Sequence, residues 1–108
     1  MNNLNSILIE GVASYVEEVM QGNTFSFNIE SHRYTKDKKT EVVTVHKVDV
    51  PIVCNGTLAL VAKANITKGR GVRVVGRIDA YGSIAGLCVW AEHIEFRPEN
   101  KELAKETE

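Results

Sequence analysis

Polar and apolar positions alternate with period two at the start of the chain. In "LNSILIEGVA", Ile7, Ile9 and Gly11 fall on one side, and Leu8, Glu10 and Val12 on the other. This predicts a half-buried strand. "SYVEEVMQGN" breaks the pattern and ends on Gly22-Asn23, a turn signal. "TFSFNIESHRY" alternates strictly, with Phe25, Phe27 and Ile29 opposed to Ser26, Asn28, Glu30 and His32. A polar, basic loop, "TKDKKT", follows. "EVVTVHKVDVPIVC" is a long β-branched run in which Pro51 cannot donate to a ladder. The strand is therefore expected to be at an edge, bulged or bent there.

Helical spacing occurs once, in "NGTLALVAKANITKG". Leu58, Val61, Ala62 and Ile66 repeat on one face, Asn55 or Thr57 can cap the start, and Gly69 suits the C-terminal turn. "VRVVGRIDA" then sets Val72, Val74, Gly76 and Ile78 against Arg73, Val75, Arg77 and Asp79. "YGSIAG" reads as a turn and "LCVWAEHIEF" as the last strand, stopped by Pro98. "ENKELAKETE" has no apolar face and reads as disordered. Three strands, one helix and two strands is the order of an all-β, five-stranded OB-fold barrel with its helix between strands 3 and 4. The expected division is a domain over residues 1–97 and a short tail over 98–108. A chain of 108 residues suits one such domain.

Charge changes the picture more than composition does. The formal net charge is −1, yet it is unevenly spread. Residues 1–31 carry four Glu and no Lys or Arg; residues 32–47 carry five basic and two acidic side chains. Residues 63–77 carry five basic and no acidic ones, and residues 98–108 carry four Glu and two Lys. A basic middle between acidic ends points to a polyanionic partner. "NITKGRGVRVVGRI" is the densest part, with Lys68, Arg70, Arg73 and Arg77.

Several functions have no support. His32, His46 and His93 fall on three different strands, with no spacing that makes a zinc site. "KGRG" lacks the Gly-Lys-Ser/Thr end of a phosphate loop, and Ser83 has no nucleophile-elbow context. No enzyme activity, metal or cofactor is expected. The N-terminus lacks the basic region of a signal peptide, and no apolar run reaches the roughly 20 residues of a membrane span. Cys54 and Cys88 lie in apolar stretches and are expected to be buried, reduced thiols, consistent with a cytoplasmic location.

Taken in order, these pieces resemble the bacterial single-stranded DNA-binding protein family across residues 4–97. Asn5, Ile7, Ile9 and Gly11 match its opening strand, and Phe27 and Ile29 its second. Gly56, Leu58 and Ala59 stand at the family's distance from Lys68-Gly69. Val72, Val74, Gly76, Arg77 and Ile78 match its fourth strand, and Val89, Ala91, Ile94 and Phe96 its last. The resemblance implies sequence-independent binding of single-stranded DNA in replication, recombination or repair. Binding of this kind combines a cationic groove with aromatic faces on which bases stack.

The phosphate contacts would come from Lys68, Arg70, Arg73 and Arg77, from Lys47, and from Arg33, Lys36, Lys38 and Lys39. The last four are assigned to the loop after the second strand, which the resemblance makes a mobile DNA-contacting hairpin. Tyr34 and Tyr81 fall near two of the family's stacking positions, with His32 as a substitute beside Tyr34. Two further platforms are absent: Asn55 stands at one, and Asp49 or its neighbours at the other. Trp90 occupies a place usually aliphatic, which suggests core or subunit interface. The family's homotetramer is the expected assembly, with a dimer as the alternative.

The short tail lacks the acidic, aromatic-tipped end with which the family recruits replication and repair proteins. This chain would then lack that recruitment or achieve it differently. Two other readings follow: a tailless dimer resembling the primosomal replication protein, which also docks replication-restart proteins, and an OB-fold interaction module without nucleic-acid binding.

Overall fold

In the computed structural model, residues 3–80 and 86–98 are described. Tyr81, most of the "YGSIAG" turn, and the segment from 99 onward lie outside the described residues. Five strands and one helix follow in the expected order: β1 (Ile7–Val16), β2 (Thr24–Lys36), β3 (Val43–Asn55), α1 (Gly56–Asn65), β4 (Gly71–Ala80) and β5 (Leu87–Phe96). The strands close into a barrel in the order β1-β2-β3-β5-β4, the OB-fold arrangement.

Alternation sets the core. Phe25, Phe27 and Ile29 point inward from β2, opposite Cys54, Ile52 and Val50 of β3. Val72 and Val74 of β4 meet Val89, Ala91 and Ile94 of β5. Phe25 and Phe27 stack with ring centroids 5.9 Å apart. The helix closes the barrel floor through Ala59, Ala62 and Ile66. Ala62 and Ile66 are buried as expected, but Val61 is exposed and Ala59 takes the remaining inner position. Two helix-end expectations also change. Asn55 is the N-cap residue but makes no side-chain cap bond, and the helix ends at Ile66. Gly69, with φ +91°, instead shapes the tight turn that follows, where the Arg70 N–H donates to the Thr67 carbonyl.

Pro51 sits where its missing N–H is tolerated. β3 pairs with β5 only at Ile52 and Val53, so up to Pro51 it has β2 alone as neighbour. The expected edge therefore exists within a closed barrel, over part of one strand. At the other end of the sheet, Asn5 extends the β1–β4 ladder with its side chain. Its amide donates to the Ile78 carbonyl and accepts from the Ile78 N–H, at 2.8 and 2.9 Å.

Cys54 and Cys88 are buried and form no disulfide; the Cys54 thiol donates to the Phe25 carbonyl at 3.6 Å. Burial pushes the Cys54 thiol up to about 11. Burial, then the nearby Asp79 carboxylate, raises Cys88 as well. Neither is poised to form the thiolate, which is the reactive species.

A methyl at Gly11 would collide with the Glu30 carbonyl, and one at Gly76 with the Trp90 carbonyl. Gly11→Ala and Gly76→Ala should each lose about 1–3 kcal/mol in denaturant melts. Gly71→Ala, whose methyl meets only the Arg97 side chain, should lose less. Separately, both thiols should resist alkylation in the native protein at neutral pH and react fully once it is unfolded. The raised Cys54 value has a stability consequence: above pH 9.0 an unfolded thiol ionises while the folded one stays neutral. Its stabilising contribution is thus intact below pH 9.0 and falls away as pH rises toward about 11.

Candidate nucleic-acid interface

β2 and β3 outrun the barrel. β1 pairs with β2 only over Phe27 to Glu30, whereas the β2–β3 register continues to Lys36 and Val43. Beyond Ser31, both strands are exposed and form a two-stranded ribbon. Asp37 folds the tip: its carboxylate accepts from the Lys39 N–H at 2.8 Å, and its backbone bonds to Glu41 and Val42.

The ribbon has two faces. Tyr34 pairs with Val45, His32 with Lys47 and Lys36 with Val43, so Tyr34, Lys36 and Lys47 share one face. Arg33 pairs with His46 on the other. Lys38 and Lys39 stand at the tip. The side chains of Arg33, Lys36, Lys38 and Lys39 carry no ion pair among the described residues. Tyr34 is 66% exposed, with no core to justify an aromatic there. At the ribbon's base, His32 Nε2 lies 2.6 Å from Glu30 Oε1, and Lys47 Nζ lies 4.0 Å from the same atom. The hydrogen bond with His32 holds the Glu30 carboxyl below its ordinary value; the charges of His32 and Lys47 add to this, and desolvation opposes it.

The arginines of β4 are placed differently. Arg73 faces outward between β1 and β5, opposite Glu10 and Glu95. Its guanidinium bonds to Glu10 Oε2 at 2.8 and 3.0 Å and lies 3.6 Å from Glu95 Oε2. Glu10 is also paired with Arg97. Arg77 lies 3.9 Å from Asp79 and 4.0 Å from Glu92. The segment that contains no acid in sequence thus meets acids from the neighbouring strands, Glu10, Glu92 and Glu95, and Asp79 just beyond its own end. Arg70 is held by the Arg97 carbonyl at 3.0 Å and lies over the Phe96 ring at 5.8 Å.

Trp90 is not a barrel-core residue. It pairs with Val53 and Arg77 on the outward face, half-buried, with the Arg77 guanidinium 5.8 Å from its ring centre. Val53 beside it is fully buried although it too points outward. The two form an apolar spot over the seam where the barrel closes.

The helix exit forms a third region. Lys68, with no ion pair among the described residues, lines an open cleft of about 660 Å³ with Tyr15, Glu17 and Lys63. Tyr15 escaped the sequence reading, because a β-bulge between Ala13 and Tyr15 changes which side chains face outward. Period-two counting cannot see an inserted residue. Among the described residues, no group of three or more His, Cys, Asp or Glu is arranged to hold a metal, and no helix is long and apolar enough to cross a membrane.

No family model matches the chain, and no curated protein matches it by sequence. Solved structures do match its fold. A small single-stranded DNA-binding protein from Streptomyces coelicolor superposes with a TM-score of 0.67 at 19% identity, over 90% of this chain and 95% of that one. The Plasmodium falciparum SSB in complex with single-stranded DNA gives a TM-score of 0.73 at 15% identity, over 91% and 98%. The PriB protein of Ralstonia solanacearum gives 0.64 at 14% identity, over 89% and 100%. The chain has the OB-fold of these proteins, the same group its sequence resembles.

Proposed function

We propose that this protein is a non-enzymatic, sequence-independent binder of single-stranded DNA. The observation that carries this reading is the ribbon face on which exposed Tyr34 lies between Lys36 and Lys47. A solvent-exposed aromatic between the unpaired Lys36 and the loosely paired Lys47 meets both needs of single-strand binding, a stacking face and phosphate contacts. The shared fold and the resemblance in sequence agree with it. Tyr81 is the second proposed stacking residue. Arg33, Lys38 and Lys39 extend the cationic surface around the ribbon, and Lys68, Arg70, Arg73 and Arg77 are further phosphate candidates. Arg73 and Arg77 can contribute only by loosening pairs they already make. Action in replication, recombination or repair, in the cytoplasm, follows from the resemblance.

The outward face of β1 and β4 favours assembly of several copies. Leu8 is 67% exposed and pairs with Val75, and the neighbouring Glu10–Arg73–Glu95 row is charge-balanced by Arg97 on Glu10. Such a face suits protein contact more than a polyanion. We read it as the subunit interface of a homotetramer; a PriB-like dimer that also docks restart proteins is the second reading, and solution mass separates them.

Titration with oligothymidylate at low and high salt tests the function. Intrinsic fluorescence should be quenched and affinity should fall steeply with salt. Absence of binding by both fluorescence and an independent assay overturns the proposal in favour of an interaction module. Tyr34→Ala should weaken binding by about 1–3 kcal/mol. Lys47→Ala should lower the salt slope by about one. Arg73→Ala should alter affinity less than Lys47→Ala, because Arg73 is committed to Glu10.

A further inference from the structure

The cleft at the exit of α1 is built from three tied pieces. The Ala13 N–H donates to the Arg70 carbonyl at 2.9 Å, and the Gly69 N–H donates to the Ala13 carbonyl at 2.8 Å. The end of β1 is thereby fixed to the Thr67–Arg70 turn, immediately before the bulge. Lys63, on the last turn of α1, donates to the backbone carbonyls of Glu17 and Glu18. These contacts hold the walls without using the Lys68 ammonium. Tyr15 is 57% exposed at the cleft, and its hydroxyl lies 3.4 Å from Glu17 Oε2.

We propose that this cleft is a second binding station for single-stranded DNA, with one base stacked on Tyr15 and its phosphate on Lys68. The inference rests on the single-strand reading above. The cleft's volume of about 660 Å³ falls in the range of small-ligand sites, about 300–1,000 Å³. Its direction relative to the ribbon is favourable. Tyr15 pairs with Asn28 on the outward face of β2, and Asn28, Glu30, His32 and Tyr34 follow along that face at alternate residues. Six residues of strand separate Asn28 from Tyr34, about 20 Å at 3.3 Å per residue. The two tyrosines thus mark two places along one strand face, each with an unpaired or loosely paired lysine. Glu17 anchors the Tyr15 hydroxyl, yet its charge opposes a phosphate at Lys68.

The test uses the full chain with oligothymidylates of about 6 and about 16 nucleotides, spanning the site sizes of OB-folds. For the longer strand, Tyr15→Ala should weaken binding about 5- to 150-fold, the worth of one stacked base. Tyr15→Phe should stay within about twofold, since the ring does the stacking. Lys68→Ala should lower the salt slope by about one, and Glu17→Gln should tighten binding. The shorter strand, held by one station at a time, should lose much less in each case. Lys68 is exposed and makes no hydrogen bond or ion pair among the described residues, so its variant tests the station even if Tyr15→Ala is unstable. Near wild-type binding of the longer strand by Tyr15→Ala and Lys68→Ala, with Tyr34→Ala weakened, overturns the second station and leaves the function standing. Failure of the wild-type protein to bind either strand overturns both.

Discussion

The barrel closes through two residue pairs, Ile52 with Val89 and Val53 with Trp90, where β3 and β5 run parallel. Every other strand contact is antiparallel and longer. So short a closure holds because both sides are sealed. Inside, Ile52 and Val89 join the phenylalanine core that α1 floors. Outside, Val53 is fully buried next to Trp90, with Arg77 over the indole. Gly11 and Gly76 belong to the same constraint, because both let a neighbouring strand's carbonyl approach the place of a side chain. Gly76 does so at a β-bulge, where a barrel turns its corners.

The shortness of that seam also frees the ribbon. Because β5 takes up β3 only from Ile52 onward, the first half of β3 has β2 as its sole partner. A two-stranded hairpin is marginal by itself in water, but this one is the continuation of strands already fixed in register by the core. Its exposed tyrosine and lysines are therefore presented on a backbone anchored at one end. Longer β3–β5 pairing would have given β3 a second neighbour along that stretch.

Much of the fold was legible because period-two alternation survives wherever one face of a strand is buried. Phe25, Phe27 and Ile29 announce β2, and Val72 and Val74 announce β4. The helix was legible in place and in most of its phase: Ala62 and Ile66 are buried and Leu58 packs against the core as their spacing predicts, but Ala59 rather than Val61 completes the inner stripe. The proposed site was legible only in part. Tyr34, Lys36 and Lys47 are adjacent because pairing across one hairpin is local. Tyr15 was hidden by a bulge. The acid-free run around Arg73 misled for a different reason: Glu10 lies 63 residues away in sequence and 2.8 Å away in space. A charge count along the chain measures neighbours in sequence, and in a barrel half the neighbours of each strand come from elsewhere.

That distinction decides how a chain of net charge −1 can present a surface to a polyanion. At physiological ionic strength charges are screened over about 8 Å, so local segregation matters more than the total. On β1, β4 and β5, the arginines are matched by Glu10, Glu95, Asp79 and Glu92. On the ribbon, Arg33, Lys36, Lys38, Lys39 and Lys47 outnumber Asp37 and Glu41, and Glu30 stands at the base with His32. Lys36 lies six residues beyond Glu30 on an extended strand, about 20 Å away and more than two screening lengths. The acidic residues of the barrel therefore cannot cancel the field at the ribbon's far half. The positive charge that "NITKGRGVRVVGRI" carries in sequence is largely matched within the fold at Arg73 and Arg77, and lysines without an ion pair among the described residues stand toward the ribbon tip and at Lys68.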